Sequence, residues 1–306
     1  MRSRETRITV PPDYDFGAAL AFLRESPSAV LESIEGETYR RAWQTKRGAE
    51  LVSVAWSASR ARSQLRVRVE GPRVDTRALD EAVDKARHTF SLNVDAAGFQ
   101  ELAEMDPIIM RLVRNERHAR PVLIADPFES LVWAIIGQQV GVGFARTLRS
   151  ALVQIAGLEA VFGLSRFPVM PDARTLADIE EEPLRAAHFS RAKIRALHIA
   201  AQAVTTQALD WPSLVVMPPA EAMAMLTRFP GIGPWTAGMV LMRGLGVRSI
   251  WPAADLGLRR ALAYALGASV PLTETDARAL AAPWAGWEAW VAFFAWRSLS
   301  RRRAGP

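Results

Sequence analysis

The chain has 306 residues, of which 50% are hydrophobic, and its formal net charge of +6 gives an isoelectric point near 10.4. This length supports about two or three domains with real cores, and the basic balance favours a polyanionic partner. The absence of cysteine excludes disulfides, thiolate metal sites and iron–sulfur clusters. No apolar run is long enough to span a bilayer and the first ten residues lack a signal-peptide core, so we expect a cytoplasmic protein without membrane contacts.

The first hundred residues combine short helices with strand-like segments. A short helix, FGAALAFLRE, precedes YRRAWQTKR, AELVSVAWSA and SQLRVRVEG, in which polar and apolar residues alternate between glycine-containing turns. Alternation of this kind predicts an antiparallel sheet. Helical periodicity then returns with DTRALDEAVDKARHTFSLN. We therefore predict an N-terminal α+β domain over residues 1–105.

Beyond Asp106-Pro107, almost every segment has the pattern of an amphipathic helix, with breaks at Pro, Gly and Asp. This predicts an all-α body over residues 106–306, with a helix-hairpin-helix at 221–245 and a C-terminal helix at 283–300. The fold class of the whole chain is then α+β.

Within this body, the segment from Asp126 to Leu148 begins with a capped, buried helix and continues with the polar pair Gln138 and Gln139. Adjacent glutamines of this kind can simply bond main-chain groups at a helix junction. A role in ligand contact is the alternative.

A glycine turn at residues 231–233 joins two predicted helices. Gly231 and Gly233 allow a tight turn with no Cβ in the way, and Pro234 suits the first position of the second helix. The free amides at that helix start predict an anion site suited to a phosphate. A dinucleotide-binding fold is not favoured, because a helix rather than a strand precedes the turn.

Asp255 follows Trp235 by 20 residues and opens the next helix, DLGLRRALAYAL. The simplest interpretation is a helix N-cap, since Asp is a favoured cap and Pro252 marks the preceding break. A catalytic interpretation is compatible with it, because a helix N-terminus favours the charged form of a carboxylate.

The order L-x-x-F-P-G-I-G-P-W-T-A followed by this aspartate resembles the helix-hairpin-helix motif of DNA repair glycosylases. PDYDFGAALAFLRESPSAVLESIEGETYRRAW and HFSRAKIRALHIAAQAV resemble the N-terminal domain and a central helix of the AlkA type of 3-methyladenine DNA glycosylase. The resemblance implies that Asp255 is the catalytic carboxylate. It also implies an enzyme of base excision repair that flips alkylated purines, such as 3-methyladenine and 7-methylguanine, out of duplex DNA and hydrolyses the N-glycosidic bond, leaving an abasic site.

The same resemblance implies a base pocket and a set of DNA contacts. The pocket positions are Trp235, Met239, Trp296 and Phe22, with Met239 replacing a usual tyrosine; ordinary core packing is the alternative for each aromatic residue. The DNA contacts are Gly231, Gly233, Pro234, Thr236, Gln138 and Gln139, of which Gln139 matches the residue that enters the gap left by the extruded nucleotide. Main-chain carbonyls of Thr227, Phe229 and Ile232 match ligands of an alkali ion, Na⁺ or K⁺; no other cofactor is required.

Members with lyase activity carry a nucleophilic lysine two residues after the second glycine, where this chain has Trp235. The resemblance therefore implies a monofunctional enzyme that acts on double-stranded DNA with damaged bases. Nothing in the sequence calls for more than a monomer. The alternative is a noncatalytic helix-hairpin-helix protein that only grips the phosphate backbone.

Overall fold

The computed structural model describes residues 1–25, 30–59, 62–114 and 116–303. The N-terminal part contains a five-stranded antiparallel sheet in the order β1-β5-β4-β3-β2. Its strands are β1 (Arg2–Thr9), β2 (Glu32–Glu35), β3 (Thr38–Thr45), β4 (Gly48–Ser59) and β5 (Arg62–Gly71), and its helices are α1 (Phe16–Glu25) and α2 (Thr76–Thr89).

One face of this sheet is covered by α2. Val54, Val67 and Val69 alternate along β4 and β5 and are fully buried against Ala78 and Ala82 of the helix. The helix starts at Asp75, whose carboxylate accepts a hydrogen bond from the amide of Ala78. The predicted α+β lobe is confirmed.

The second part of the chain is a helical body. Its helices are α3 (Ala97–Met105), α4 (Pro107–Leu112), α5 (Pro127–Gly137), α6 (Val142–Ala156), α7 (Ala173–Ala177), α8 (Glu181–Ala186), α9 (Arg191–Thr205), α10 (Trp211–Val216), α11 (Pro219–Thr227), α12 (Pro234–Met239), α13 (Leu256–Ala265), α14 (Glu274–Leu280) and α15 (Glu288–Arg303). A π-helical segment (Val240–Gly244) continues α12, and a 3₁₀ turn (Ala282–Trp284) precedes α15.

The core of the body reaches back into the region that the sequence analysis assigned to the N-terminal domain. Phe99 of α3 is buried against Trp287, Trp290 and Phe294, with ring centroids 5.1 to 5.6 Å apart. The chain therefore joins the helical core before residue 106. The domain boundary at residue 105 stays a prediction.

A two-stranded hairpin, β6 (Glu159–Phe162) with β7 (Ser165–Pro168), interrupts the helices of the body. The sequence analysis expected an all-helical body and did not place these strands. Phe162 and Phe167 pack against Ala42 and Leu51 on the face of the sheet opposite α2. Packing on the other lobe, rather than strong local propensity, stabilises strands this short.

A buried charge cluster joins the two lobes. Glu129 of α5 pairs with Arg41 of β3 and with Arg149 of α6, and Arg41 also lies 3.3 Å from Glu32 of β2. All four side chains are at most 5% exposed. Ion pairs that are buried away from solvent therefore join the sheet of the first lobe to α5 and α6 of the second.

Within the described ranges, no helix is both long and apolar enough to cross a membrane.

Candidate active site

Asp255 stands at the start of α13, and its carboxylate accepts three hydrogen bonds. Oδ1 accepts a hydrogen bond from the main-chain amide of Leu258 at 2.6 Å, which makes Asp255 the N-cap of the helix. The residue has extended backbone angles and is half-buried. The capping function expected from sequence is present, and it orients the side chain for a second function.

Two tryptophans hold the same carboxylate. The indole nitrogen of Trp235 donates to Oδ2 of Asp255 at 3.0 Å, and the indole nitrogen of Trp296 donates to Oδ1 at 2.9 Å. Both rings are half-buried. Gly257 leaves room for this arrangement, since a Cβ there would stand 3.0 Å from Oδ1 and 3.5 Å from the Trp296 ring. The structure thus brings three predicted site residues together, with Trp235 and Trp296 on either side of the Asp255 carboxylate.

The other two expected pocket residues extend this group. Met239 is buried on α12, four residues after Trp235, so the two share one helix face. Phe22 projects from α1 of the N-terminal lobe onto Phe293, with ring centroids 4.9 Å apart. Phe293 precedes Trp296 by three residues on α15, which places Phe22 about one helical turn from the tryptophan.

The glycine turn lies at the surface next to this group. Gly231, Gly233 and Pro234 are exposed, and Gly231 has φ of +89°. A Cβ on Gly231 would come within 2.6 Å of the Cβ of Ala196, so the main chain packs directly on α9. Nothing lies within 4 Å of the position that a Cβ on Gly233 would occupy. The start of α12 is therefore open to an approaching anion.

Gln138 and Thr236 form hydrogen bonds that hold this turn from its protein side. Nε2 of Gln138 donates to the carbonyl oxygen of Gly231 and to Oγ1 of Thr236, each at 2.8 Å. Thr236 is only 2% exposed. Both side chains thus hold the hairpin to the end of α5, and for Gln138 this is the main-chain bonding at a helix junction that the sequence analysis gave as one interpretation. A DNA contact at these two positions would have to use main-chain groups and stays a prediction.

Gln139 follows the end of α5 in a left-handed backbone conformation, with φ of +56°, and its side chain is exposed. Val142 and Phe144, at the start of α6, are 53% and 43% exposed. An exposed amide beside exposed apolar side chains suits insertion into a base stack. The geometry is compatible with the predicted role of Gln139.

Lys193 of α9 is a site residue that the sequence analysis missed. Its ammonium lies behind the Gln138–Gln139 turn and donates to main-chain carbonyls there. The sequence signal is slight, because a lysine in an amphipathic helix is usually solvated. Lys193 lies in the segment HFSRAKIRALHIAAQAV that resembles a central helix of the AlkA type, but nothing in that segment indicates that its ammonium turns inward.

Carbonyl oxygens at the hairpin fit a hard cation. In the described part of the chain, the carbonyls of Thr227 and Ile232 accept no main-chain hydrogen bond, whereas that of Phe229 accepts one from the amide of Ile232 at 3.0 Å. Each of the three oxygens therefore keeps a lone pair for an ion. The described residues contain no group of three His, Asp or Glu side chains that could hold a metal.

Relatives of known name match nearly the whole chain. The DNA-3-methyladenine glycosylase of Bacillus subtilis is 26% identical over 292 residues, which covers 95% of this chain and 96% of the relative. The solved 3-methyladenine DNA-glycosylase from Archaeoglobus fulgidus superposes with a TM-score of 0.83 at 23% identity, covering 97% of this chain and 98% of the other. A Clostridium acetobutylicum 8-oxoguanine glycosylase/lyase, solved in complex with dsDNA, gives a TM-score of 0.71 at 14% identity and covers 98% of each chain.

Family models match both lobes. The model described as the AlkA N-terminal domain matches residues 5–121, which confirms the expected resemblance of the first lobe. The model described as HhH-GPD superfamily base excision DNA repair protein matches residues 132–285, just over half of the chain, and includes the hairpin, Asp255 and both ends of α13. The chain therefore belongs to the HhH-GPD superfamily of base excision DNA repair proteins.

Proposed function

We propose that this protein is a monofunctional DNA glycosylase that excises alkylated purines of the 3-methyladenine and 7-methylguanine type from duplex DNA. The observation that carries the proposal is the Asp255 carboxylate, held by two indole donors beside an open phosphate-binding turn. A protein that only grips the DNA backbone needs neither the carboxylate nor the tryptophans. The noncatalytic alternative is therefore not favoured.

Asp255 supplies the charge that N-glycosidic cleavage requires. When the bond between C1′ and the purine nitrogen breaks, its electron pair leaves with the base and the sugar acquires oxocarbenium character. A fixed carboxylate stabilises that positive charge and orients a water that adds to C1′. That electron pair cancels the positive charge of the alkylated purine, and the water gives one proton to the Asp255 carboxylate, which passes it to solvent as the abasic sugar forms. The three hydrogen bonds to Asp255 keep the carboxylate in place throughout.

The aromatic residues around Asp255 supply the base pocket. Alkylated purines carry positive charge, so the faces of Trp235 and Trp296 attract them by cation–π interaction as well as by stacking. The thioether of Met239 fills space adaptably and makes weaker contacts with a ring than an aromatic side chain does. We expect this pocket to accept more than one alkylated purine.

Double-stranded DNA is the partner that the surface supports. The exposed turn at Gly231 and Gly233 approaches a phosphate through main-chain amides at the start of α12. Gln139 then fills the gap left by the extruded nucleotide, which offsets part of the unstacking cost of roughly a few kcal/mol. An alkali ion on the carbonyls of Thr227, Phe229 and Ile232 would add positive charge next to the same phosphate.

The positions of the three lysines support hydrolysis without lyase chemistry. Lys193 has its ammonium committed to three main-chain carbonyls, and Lys46 and Lys85 belong to the N-terminal sheet lobe. A Schiff base with the sugar needs a free amine at C1′. Trp235 occupies the place of the lysine that the lyase members carry.

The whole site comes from one chain, because the carboxylate, the pocket, the turn and Gln139 are all contributed by it. We therefore propose that the protein acts as a monomer. An enzyme that repairs chromosomal DNA in a bacterium would work in the cytoplasm.

The test compares Asp255→Asn with Asp210→Asn on duplexes that contain 3-methyladenine or 7-methylguanine. Asparagine caps a helix as well as aspartate does, so both variants should fold. Asp210 caps α10 in the same way but has no indole partner among the described residues, which makes it the matched control. We expect Asp255→Asn to bind DNA and lose base release by about 100-fold or more, and Asp210→Asn to keep it.

The product of the wild-type reaction tests the absence of lyase activity. Strands should stay intact until the abasic site is cleaved by alkali. Strand breaks without alkali, or a borohydride-trapped covalent adduct with DNA, would reject the monofunctional assignment. Retention of base release by Asp255→Asn would reject the assignment of the catalytic carboxylate.

A further inference from the structure

The end of α5 is capped by a side chain from another helix. Nζ of Lys193 donates hydrogen bonds to the carbonyl oxygens of Ile135 at 3.1 Å, Ile136 at 2.8 Å and Gln138 at 2.7 Å. The last carbonyls of a helix have no partner within the helix, and they carry the negative end of its dipole. One ammonium group therefore binds three carbonyl oxygens just before the exposed Gln139, and of these the Ile135 oxygen also accepts the amide of Gln138 at 3.3 Å.

Among the described residues, no carboxylate pairs with the ammonium of Lys193. It is 8% exposed, and burial lowers the pKa of its ammonium. Within the described ranges it makes no ion pair, so the three carbonyls are its stabilising partners. A glycine in the left-handed conformation is the usual way to end a helix. Here Gln139 takes that conformation despite its Cβ, and the lysine supplies the missing cap.

The same face of α9 also contacts the glycine turn. Ala196 lies three residues after Lys193 and packs against Gly231, where a Cβ would meet it at 2.6 Å. Gln138 links the two turns directly, because its main-chain carbonyl binds Lys193 while its side chain binds the carbonyl of Gly231. The turn that carries Gln139 and the glycine turn at residues 231–233 thus both contact α9, the first through Lys193 and the second through Ala196.

We propose that Lys193 is a positioning residue for base extrusion: its ammonium fixes the turn that carries Gln139 at a set place relative to the phosphate-binding turn. The proposal rests on the proposed glycosylase function, and it assigns Lys193 no contact with the reacting atoms. Its effect passes through Gln139. A wedge that is displaced by about 1 Å fills the gap in the stack poorly, and such displacements cost up to about 100-fold in rate.

This mechanism predicts a dependence on base pairing. Extrusion from a paired duplex needs the wedge, whereas a lesion within a short unpaired bubble is already partly unstacked. Removal of the ammonium should therefore slow excision from a paired duplex and leave excision from the bubble nearly unchanged. A general loss of folding or of Asp255 geometry would slow both reactions by the same factor.

The experiment measures single-turnover excision of one lesion in paired and bubble DNA by wild type, Lys193→Met and Lys46→Met. Methionine matches the lysine side chain as far as Cε and removes the ammonium with its hydrogen-bond donors. Lys46 is exposed in the turn between β3 and β4, so its variant controls for the lost charge. We expect a loss of about 10- to 100-fold for Lys193→Met on paired DNA only, and no loss for Lys46→Met on either substrate.

A double-mutant cycle with Gln139→Ala tests whether the effect passes through the wedge. If Lys193 acts through Gln139, the double variant should be no slower on paired DNA than Gln139→Ala alone. Additive losses would overturn the proposal. If Lys193→Met does not fold, Lys193→Arg replaces it, since a planar guanidinium keeps the charge but cannot converge on three carbonyls from one point.

The two proposals fail in different ways. Equal losses on paired and bubble DNA would overturn the positioning role and leave the glycosylase intact. Failure of the wild type to release a base from either substrate would overturn the proposed function, and the positioning role with it.

Discussion

Trp235 and Trp296 donate their indole hydrogens to different oxygens of the Asp255 carboxylate, from helices that begin far apart in the sequence. Trp235 follows the glycine turn at residues 231–233, and Trp296 lies on the last helix of the body. A carboxylate held in this way has one orientation. Its catalytic power should therefore depend on both donors.

Substitution of either indole by phenylalanine should lower kcat while DNA binding is largely retained. Trp235→Phe and Trp296→Phe keep an aromatic ring and remove one hydrogen bond to Asp255, so we expect kcat to fall about 10- to 100-fold. Trp251→Phe is the control, since that indole donates to the carbonyl of Ala277 at 2.9 Å, outside the site. Steady-state excision measures kcat, and DNA titration measures binding. Unchanged kcat in both site variants would contradict the orienting role.

The two glycines of the turn should respond differently to alanine. Gly231→Ala places a Cβ against Ala196 at a φ of +89°, so we expect it to lower the free energy of unfolding by about 2 kcal/mol. Gly233→Ala meets open space at a φ of −85° and should leave stability unchanged. It should still weaken duplex binding, because the Cβ stands where a phosphate approaches. Urea unfolding measures the loss of stability and DNA titration measures the loss of binding. Equal losses of stability in the two variants would show that Gly231 has no special structural role.

The buried charge cluster should make Arg41 far more important to stability than its neighbour Arg40. Arg41→Met leaves Glu129 buried with Arg149 alone, which should lower the free energy of unfolding by about 3–5 kcal/mol. Arg40 pairs with Glu35 at the surface, so Arg40→Met should lower it by about 0–1 kcal/mol. Chemical denaturation measures both. Similar values for the two variants would show that the cluster does not join the lobes energetically.

Glu32 should make the protein less stable as pH rises. Burial raises the pKa of its carboxyl from 4.5 to about 7. The effect of burial exceeds the opposing attraction of Arg41, because the Arg41 guanidinium also pairs with Glu129. Since the folded state holds the proton more tightly than the unfolded state, the stabilisation is complete below pH 4.5. It is lost as pH rises to 7. Urea midpoints at pH 5 and pH 8 should therefore differ less for Glu32→Gln than for wild type. The same difference in both proteins would exclude Glu32 as its source.

The hairpin and the cap at Asp255 are predictable from sequence because they depend on local backbone requirements. Glycine, proline and aspartate at fixed offsets specify turns and helix starts wherever they occur. The contact of Trp296 with Asp255 spans 41 residues, and no local rule pairs them. The sequence resemblance suggested the pocket role of Trp296, but not its hydrogen bond.

The direction of a polar side chain at a helix junction was the least predictable feature. Gln138 turns inward to bind the hairpin, whereas the adjacent Gln139 is exposed and itself has the left-handed backbone conformation. The β6–β7 hairpin was not predicted because it, too, depends on contacts with distant residues. Its short strands are stabilised by Ala42 of β3 and Leu51 of β4, which are distant in the sequence, and no periodicity within the hairpin indicates that contact.

The wide turn at Val240–Gly244 has a consequence for which mutations the fold can absorb. The amide of Leu245 bonds to the carbonyl of Val240, five residues back, so this turn holds one residue more than an α-helical turn. That extra residue places Gly244 against Ser130, where an added Cβ would lie 2.7 Å from the Cβ of Ser130. It also places the guanidinium of Arg243 over the ring of Phe22. Deletion of a single amino acid here would restore ordinary winding and rotate both away from their neighbours. Substitutions should consequently be tolerated in this segment far more readily than changes in its length.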